Sequence, residues 1–119
     1  MTDVSPEGSP GWLEIGVPEA DTTREFFAGL FGWRVEPMGA GNANFAGPGL
    51  RAGLHGDDSG REIIVYFSVA DIEAAVSRVR ELGGNAEDPG PEERLGRFAS
   101  ATDPQGVRFG LYQAPGTVR

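Results

Sequence analysis

IIVYFSVADIEAAVSRVRELGG, residues 63–84, changes periodicity at Asp71. Before it, Ile63, Val65, Phe67 and Val69 alternate with Ile64, Tyr66 and Ser68. These β-branched and aromatic side chains suit a pleated strand. Asp71 is placed to cap a helix, since its carboxylate can accept a bond from a free N–H of the first turn. Ile72, Ala75, Val76, Val79 and Leu82 follow at spacings of three and four, the apolar stripe of an amphipathic helix. Gly83 and Gly84 end it, because glycine enters the left-handed region without a Cβ penalty. The stretch therefore reads as strand, tight turn and helix.

The same unit occurs earlier, in GWLEIGVPEADTTREFFAGLFG at 11–32. Leu13, Ile15 and Val17 alternate with Trp12, Glu14 and Gly16; Phe26, Phe27, Leu30 and Phe31 form a helical stripe, and Gly32 closes it. An offset of 52 carries Val17 to Val69, Phe27 to Val79, Leu30 to Leu82 and Gly32 to Gly84. Two copies make a duplicated module rather than a solenoid.

Around each unit the chain reads as β-α-β-β-β. The first copy has a strand at 12–17, a helix at 20–31 and strands at 33–36 (ended by Pro37), 44–46 and 50–55, with a glycine-rich turn at 38–44 and another at 47–49. GDDSGR, 56–61, is a polar linker. The second copy has a strand at 63–69, a helix at 72–82 and strands at 85–87, 98–102 and 107–112, with DPQG at 103–106 as a hairpin turn. One domain is expected over 11–113, built from modules 11–55 and 62–113, with loose tails at 1–10 and 114–119. Alternation sets one face of Leu13, Ile15, Val17, Leu50, Ala52, Leu54, Ile63, Val65, Phe67, Val69, Val107, Phe109 and Leu111 beneath the helices. The other face is mixed: Trp12, Glu14 and Gly16; Arg51, Gly53 and His55; Ile64, Tyr66 and Ser68; Arg108, Gly110 and Tyr112. The fold class expected is α+β, a curled mixed sheet forming a cup lined by the mixed face, with the helices outside.

Composition narrows the chemistry. Eighteen acids against ten bases give a net charge of −8, which disfavours nucleic acid and anionic membranes as partners. No apolar run approaches the ~20 residues of a membrane span. MTDVSPEGSPG has the pattern of neither a signal nor a transit peptide, so a cytoplasmic location is expected. There is no cysteine, which removes disulfides and thiolate chemistry, and all ten bases are arginine, which removes lysine Schiff bases. His55 is the one histidine, so a multi-histidine metal site is excluded.

The doubled module resembles the vicinal oxygen chelate superfamily, the group of glyoxalases, bleomycin-resistance proteins and extradiol dioxygenases. The resemblance rests on FFAGLFGW, SVADIEAAVSRVRELGG and GRFASATDPQGVRFGLYQ and covers roughly 11–113. It implies a divalent metal held by His, Gln or Glu from the first and last strands of each module. Carried over by the landmarks above, those positions are Trp12 and Ile64 on the first strands and Gly53 and Gly110 on the last. None has a side chain that ligates a metal, and a catalytic site needs at least three ligands. No cofactor is therefore expected; the alternative is a displaced divalent metal on Glu14 and His55 with Tyr66 or Tyr112.

The resemblance then implies a binding protein of the drug-sequestering kind, holding a planar or aromatic small molecule without metal. The candidate cup residues are Trp12, Glu14, Arg51, Gly53, His55, Ile64, Tyr66, Ser68, Arg108, Gly110 and Tyr112. The alternative is an enzyme of lyase, isomerase or dioxygenase type, with Glu14 and His55 as the acid–base candidates. Glu14 is expected to pair with Arg51 or Arg108. The strand-interior glycines 53 and 110 leave room for a bound molecule or for the Trp12 ring. A homodimer is expected by family analogy.

Overall fold

The computed structural model describes residues 6–39, 42–47 and 49–116. Ala40 and Gly41 of the expected 38–44 turn, Pro48 of the next, and the ends of both tails lie outside the described residues. The chain divides into two compact units, Trp12–Ile64 and a second made of Val65–Arg119 with Met1–Gly11. Both carry the β-α-β-β-β order read from the sequence.

In the first unit, β1 (Pro10–Gly16) leads to α1 (Ala20–Phe31), then β2 (Arg34–Gly39), β3 (Asn42–Gly47) and β4 (Leu50–His55). β1 lies parallel to β4, with Leu13 beside Ala52, Glu14 beside Gly53, Ile15 beside Leu54 and Gly16 beside His55. β4 pairs antiparallel with β3, and β3 with β2. A parallel neighbour needs a long crossover, and α1 begins it. One sheet face packs on that helix: Ile15, Ala20, Phe45, Ala52 and Leu54 are buried, with Leu13, Val17, Phe27, Trp33, Val35 and Leu50 against them.

The second unit repeats this plan with β5 (Glu62–Ser68), α2 (Ile72–Glu81), β6 (Asn85–Ala86), β7 (Arg97–Thr102) and β8 (Arg108–Gln113). β5 runs parallel to β8, placing Tyr66 beside Gly110 and Ser68 beside Tyr112; β7 and β6 follow antiparallel. Its core is Ile72, Val76, Ala99 and Leu111, with Val69, Ala75, Val79, Ala86 and Phe109 packed around it. Asp71 caps α2 through the Ala74 N–H at 3.3 Å, and Gly32 and Gly83 take the left-handed conformation at the two helix ends. α1 begins at Ala20 after Glu19, whose side chain makes no cap bond. Among the described residues no helix is long and apolar enough to cross a membrane.

Several local readings change. Pro37 does not end β2, which continues to Gly39 past a register shift between Pro37 and Gly39. β2 is an edge strand, where proline's missing N–H costs no ladder bond. Met38, Gly39 and Asn42–Asn44 accordingly belong to strands rather than to a turn. Ile63 and Val107 are 51% and 60% exposed, so the apolar face narrows at strand ends. Val107 precedes β8, which runs instead through Gln113. Leu82 follows α2 as its C-cap and is exposed. Of the α1 stripe only Phe27 joins the core; Phe26, Leu30 and Phe31 are each more than half exposed. Residues 7–9 hydrogen-bond around the end of β5: Gly8 N–H to Ser68 O, Ser68 N–H to Ser9 O, and Ala70 N–H to the Glu7 carboxylate. Ala114, read as tail, is buried.

Candidate functional site

The face of each sheet away from its helix carries the candidate residues, and the two copies use one device there. In each, a first-strand side chain folds over a last-strand glycine. Glu14 sits beside Gly53, and a Cβ at Gly53 would stand 2.5 Å from Glu14 Oε1. Tyr66, the residue 52 positions on, sits beside Gly110, where a Cβ would overlap Cγ, Cδ2 and Cε2 of its ring. The room over the two glycines is occupied by the chain's own side chains, Glu14 over Gly53 and Tyr66 over Gly110.

In the first unit Glu14 is fixed from both oxygens. Trp12, 5% exposed, donates its indole N–H to Oε1 at 3.0 Å. His55 Nδ1 lies 2.8 Å from Oε2, and His55 Nε2 lies 2.9 Å from Asp58 Oδ2. Ionised carboxylates only accept, so the form of the ring that satisfies both is the doubly protonated imidazolium. The Glu14 hydrogen bond raises His55 above its ordinary value of 6.5; burial opposes this, and Asp58 adds to it. The expected Glu14 pairing with Arg51 or Arg108 gives way to Trp12 and His55. The sequence reading left Asp58 in the linker. The signal was its place three residues after the only histidine. Gly60 N–H donates to Asp58 Oδ1 and Asp58 N–H to Val17 O, which hold the linker carboxylate in place.

In the second unit the same face carries an aromatic row. Tyr66 meets Phe98 edge-on at 5.6 Å, and Phe98 meets Tyr112 at 5.0 Å. Tyr112 is buried and its hydroxyl donates to Leu95 O at 2.8 Å. Tyr66 and Phe98 remain half-buried. Phe98 was missed because only the strand pairing places it opposite Tyr112. Ser68 is buried against Gly11, Ile64 is half-buried, and Arg51 and Arg108 are exposed. At the β6 end a hollow of about 320 Å³ is lined by Asn85, Glu87, Ser100, Thr102 and Arg108, with Ala86 and Ala101.

The donor set does not fit a divalent metal. Trp12, Ile64, Gly53 and Gly110 offer no ligating side chain. Glu14, His55 and Asp58 bond to one another instead of converging on a common point. Among the described residues no group of three or more His, Asp or Glu is arranged to hold a metal.

Residues 12–112 match the model of the glyoxalase-like domain. The chain belongs to the glyoxalase-like family. This glyoxalase-like chain is 29% identical to the anthracycline biosynthesis protein DauV of Streptomyces sp. (strain C5), over 95% of its own length and 49% of DauV. It spans about half the length of the curated relatives it matches. Among solved structures it superposes on BH1468 from Bacillus halodurans C-125 with a TM-score of 0.73, at 15% identity, over 96% of this chain and 99% of that one. Methylmalonyl-CoA epimerase from Mycobacterium tuberculosis gives a TM-score of 0.69 at 19% identity, over 96% and 93%. These two likenesses establish the fold.

Proposed function

We propose that this glyoxalase-like protein binds a planar aromatic small molecule without a metal. The observation that carries the reading is the pair Tyr66 and Phe98, half-buried on the face of the second sheet away from α2. Aromatic walls hold flat ligands by stacking, and the same unit carries a hollow with polar lining at the β6 end. The missing ligand side chains at Trp12, Ile64, Gly53 and Gly110 support a site that works without a metal. Two relatives are named anthracycline biosynthesis proteins, and an anthracycline is a flat fused-ring molecule. The net charge of −8 suits a cationic ligand.

The test is calorimetric titration with a water-soluble aminoanthraquinone, with and without a chelator. Micromolar binding that ignores the chelator and weakens roughly 5- to 100-fold in Tyr66→Ala and Phe98→Ala supports the reading. No binding at millimolar probe, or binding abolished by the chelator, overturns it.

The chain Asp58–His55–Glu14 favours a second reading, an acid–base enzyme of the same family. A carboxylate sharing a proton with a charged imidazole is a unit that accepts and returns protons. Turnover whose pH profile moves in both Glu14→Gln and His55→Gln would favour this reading over simple binding.

A further inference from the structure

Strand register in the second unit lays out one face of its sheet from aromatic to polar. β7 places Phe98, Ser100 and Thr102 on the side away from α2, while Ala99 between them packs into the core beneath that helix. Phe98 stands opposite Tyr112 of β8, Ser100 opposite Gly110 and Thr102 opposite Arg108. On the other side of β7, Asn85 stands opposite Thr102, and the Glu87 N–H donates to Ser100 O, which puts Glu87 across from Ser100. Ser100 therefore follows Phe98 on the same side of the strand, roughly 7 Å along it. Tyr66, whose ring lies over Gly110, shares a row with Ser100 and meets Phe98 edge-on. The hollow of about 320 Å³ opens where this aromatic pair ends, with Ser100 as its first lining residue.

The lining selects a kind of chemical group. Asn85, Glu87, Ser100 and Thr102 line the hollow, and among the described residues their side chains are paired with no other group. Two hydroxyls and an amide both donate and accept, the carboxylate accepts, and the Arg108 guanidinium donates. One acid and one base leave the lining without net charge, so it favours neither an anion nor a cation. A group presenting several adjacent hydroxyls, each a donor and an acceptor, matches that mixture. The volume lies at the small end of ligand pockets, about 300–1,000 Å³, which suits a substituent rather than a whole polycyclic ligand. Arg80 of α2 donates to Ala86 O at 2.7 Å and so holds the β6 wall in place before anything enters. We infer that the hollow is a subsite for a neutral, polyhydroxylated substituent, a sugar in chemical class, carried by a planar aromatic group that stacks on Tyr66 and Phe98. The inference rests on the aromatic reading above and names what that ligand carries.

The test uses probes that share one planar ring. They are methylumbelliferyl glucoside and galactoside, the methyl ether of methylumbelliferone, and methylumbelliferyl phosphate as the anionic control. Calorimetric titration of the full chain is expected to show a glycoside binding roughly 10-fold tighter than the ether and the phosphate. Ser100→Ala and Thr102→Val are expected to reduce the glycoside-to-ether affinity ratio roughly 3- to 10-fold, and Thr102→Ser, which keeps the hydroxyl, to retain it. Phe98→Ala should weaken glycoside and ether alike and leave the ratio in place. Glycosides that bind no tighter than the ether overturn the inference and leave the aromatic reading standing. Phosphate binding tighter than both glycosides overturns it in favour of an anion site. Loss in the Ser100 and Thr102 variants with none in Phe98→Ala overturns the aromatic reading, and with it the stacked arrangement inferred here. No binding of any probe at millimolar concentration overturns both.

Discussion

His55 Nδ1 donates to Glu14 Oε2 across 2.8 Å, joining the end of β4 to the middle of β1. Asp58 Oδ2 accepts from the other ring nitrogen, Nε2, at 2.9 Å. Only the imidazolium satisfies both carboxylates at once, and its pKa lies above 6.5, chiefly through the Glu14 bond. The sign of the linkage follows. A raised folded pKa contributes stability that is fully present below the unfolded value and is lost as pH rises through the folded one. Unfolding midpoints are therefore expected to fall as pH rises above 6.5 through the titration of His55, and the fall should disappear in His55→Gln. Added salt should shrink the effect, since the His55 side chain is 40% exposed.

The single histidine makes the cause separable. Its proton resonances titrate without overlap from another ring. Glu14→Gln is expected to lower the His55 pKa most and Asp58→Asn less, in the order of their contributions. A wild-type pKa at or below 6.5, or the reverse order of the two variants, would show that the pairing does not persist in solution.

The two covered glycines give a stability prediction. Gly110→Ala drives a Cβ into the Tyr66 ring and is expected to destabilise the chain by about 1–3 kcal/mol in urea unfolding. The clash needs both partners, so Gly110→Ala combined with Tyr66→Ala should cost less than the sum of the single changes. Additivity would mean that the ring moves aside freely. Gly53→Ala has a different readout. It displaces the Glu14 carboxylate, which Trp12 and His55 hold, and so should lower the His55 pKa.

How far the sequence carries the reader differs between fold and site. Ala20–Phe31 and Leu50–His55 stand where periodicity put them, because helix stripe, glycine stop and strand alternation act locally. Pro37 misled because its effect depends on β2 being an edge strand, a fact of pairing rather than of local preference. Phe26 and Leu30 misled because a stripe shows which side of a helix is apolar but not how much of it the sheet covers. In the site, Glu14 and His55 share a face by alternation, yet their contact depends on the parallel register of β1 and β4. The same holds for Tyr66 over Gly110, and for Asp58, whose spacing from His55 is local but whose carboxylate is turned onto the ring by the linker bonds of Gly60 N–H and Asp58 N–H.

Gln113 is the last case in which register decides. The sequence ends strand 8 at Tyr112, but β8 continues one residue, and the buried Gln113 side chain accepts the Ile72 N–H at 2.9 Å. The first turn of α2 is thus capped twice, by Asp71 from its own chain start and by Gln113 from the strand beneath. The two caps should not be equivalent. Asp71→Ala removes a longer bond at an exposed position and is expected to cost about 0.5–2 kcal/mol, at the low end. Gln113→Leu keeps the volume but leaves a buried N–H without a partner, at about 1–3 kcal/mol. Urea unfolding should rank Gln113→Leu as the more damaging, with faster hydrogen exchange at the Ile72 amide. The opposite ranking would mean that Asp71 alone fixes the start of α2, and that β8 contributes to the helix through apolar packing rather than through this hydrogen bond.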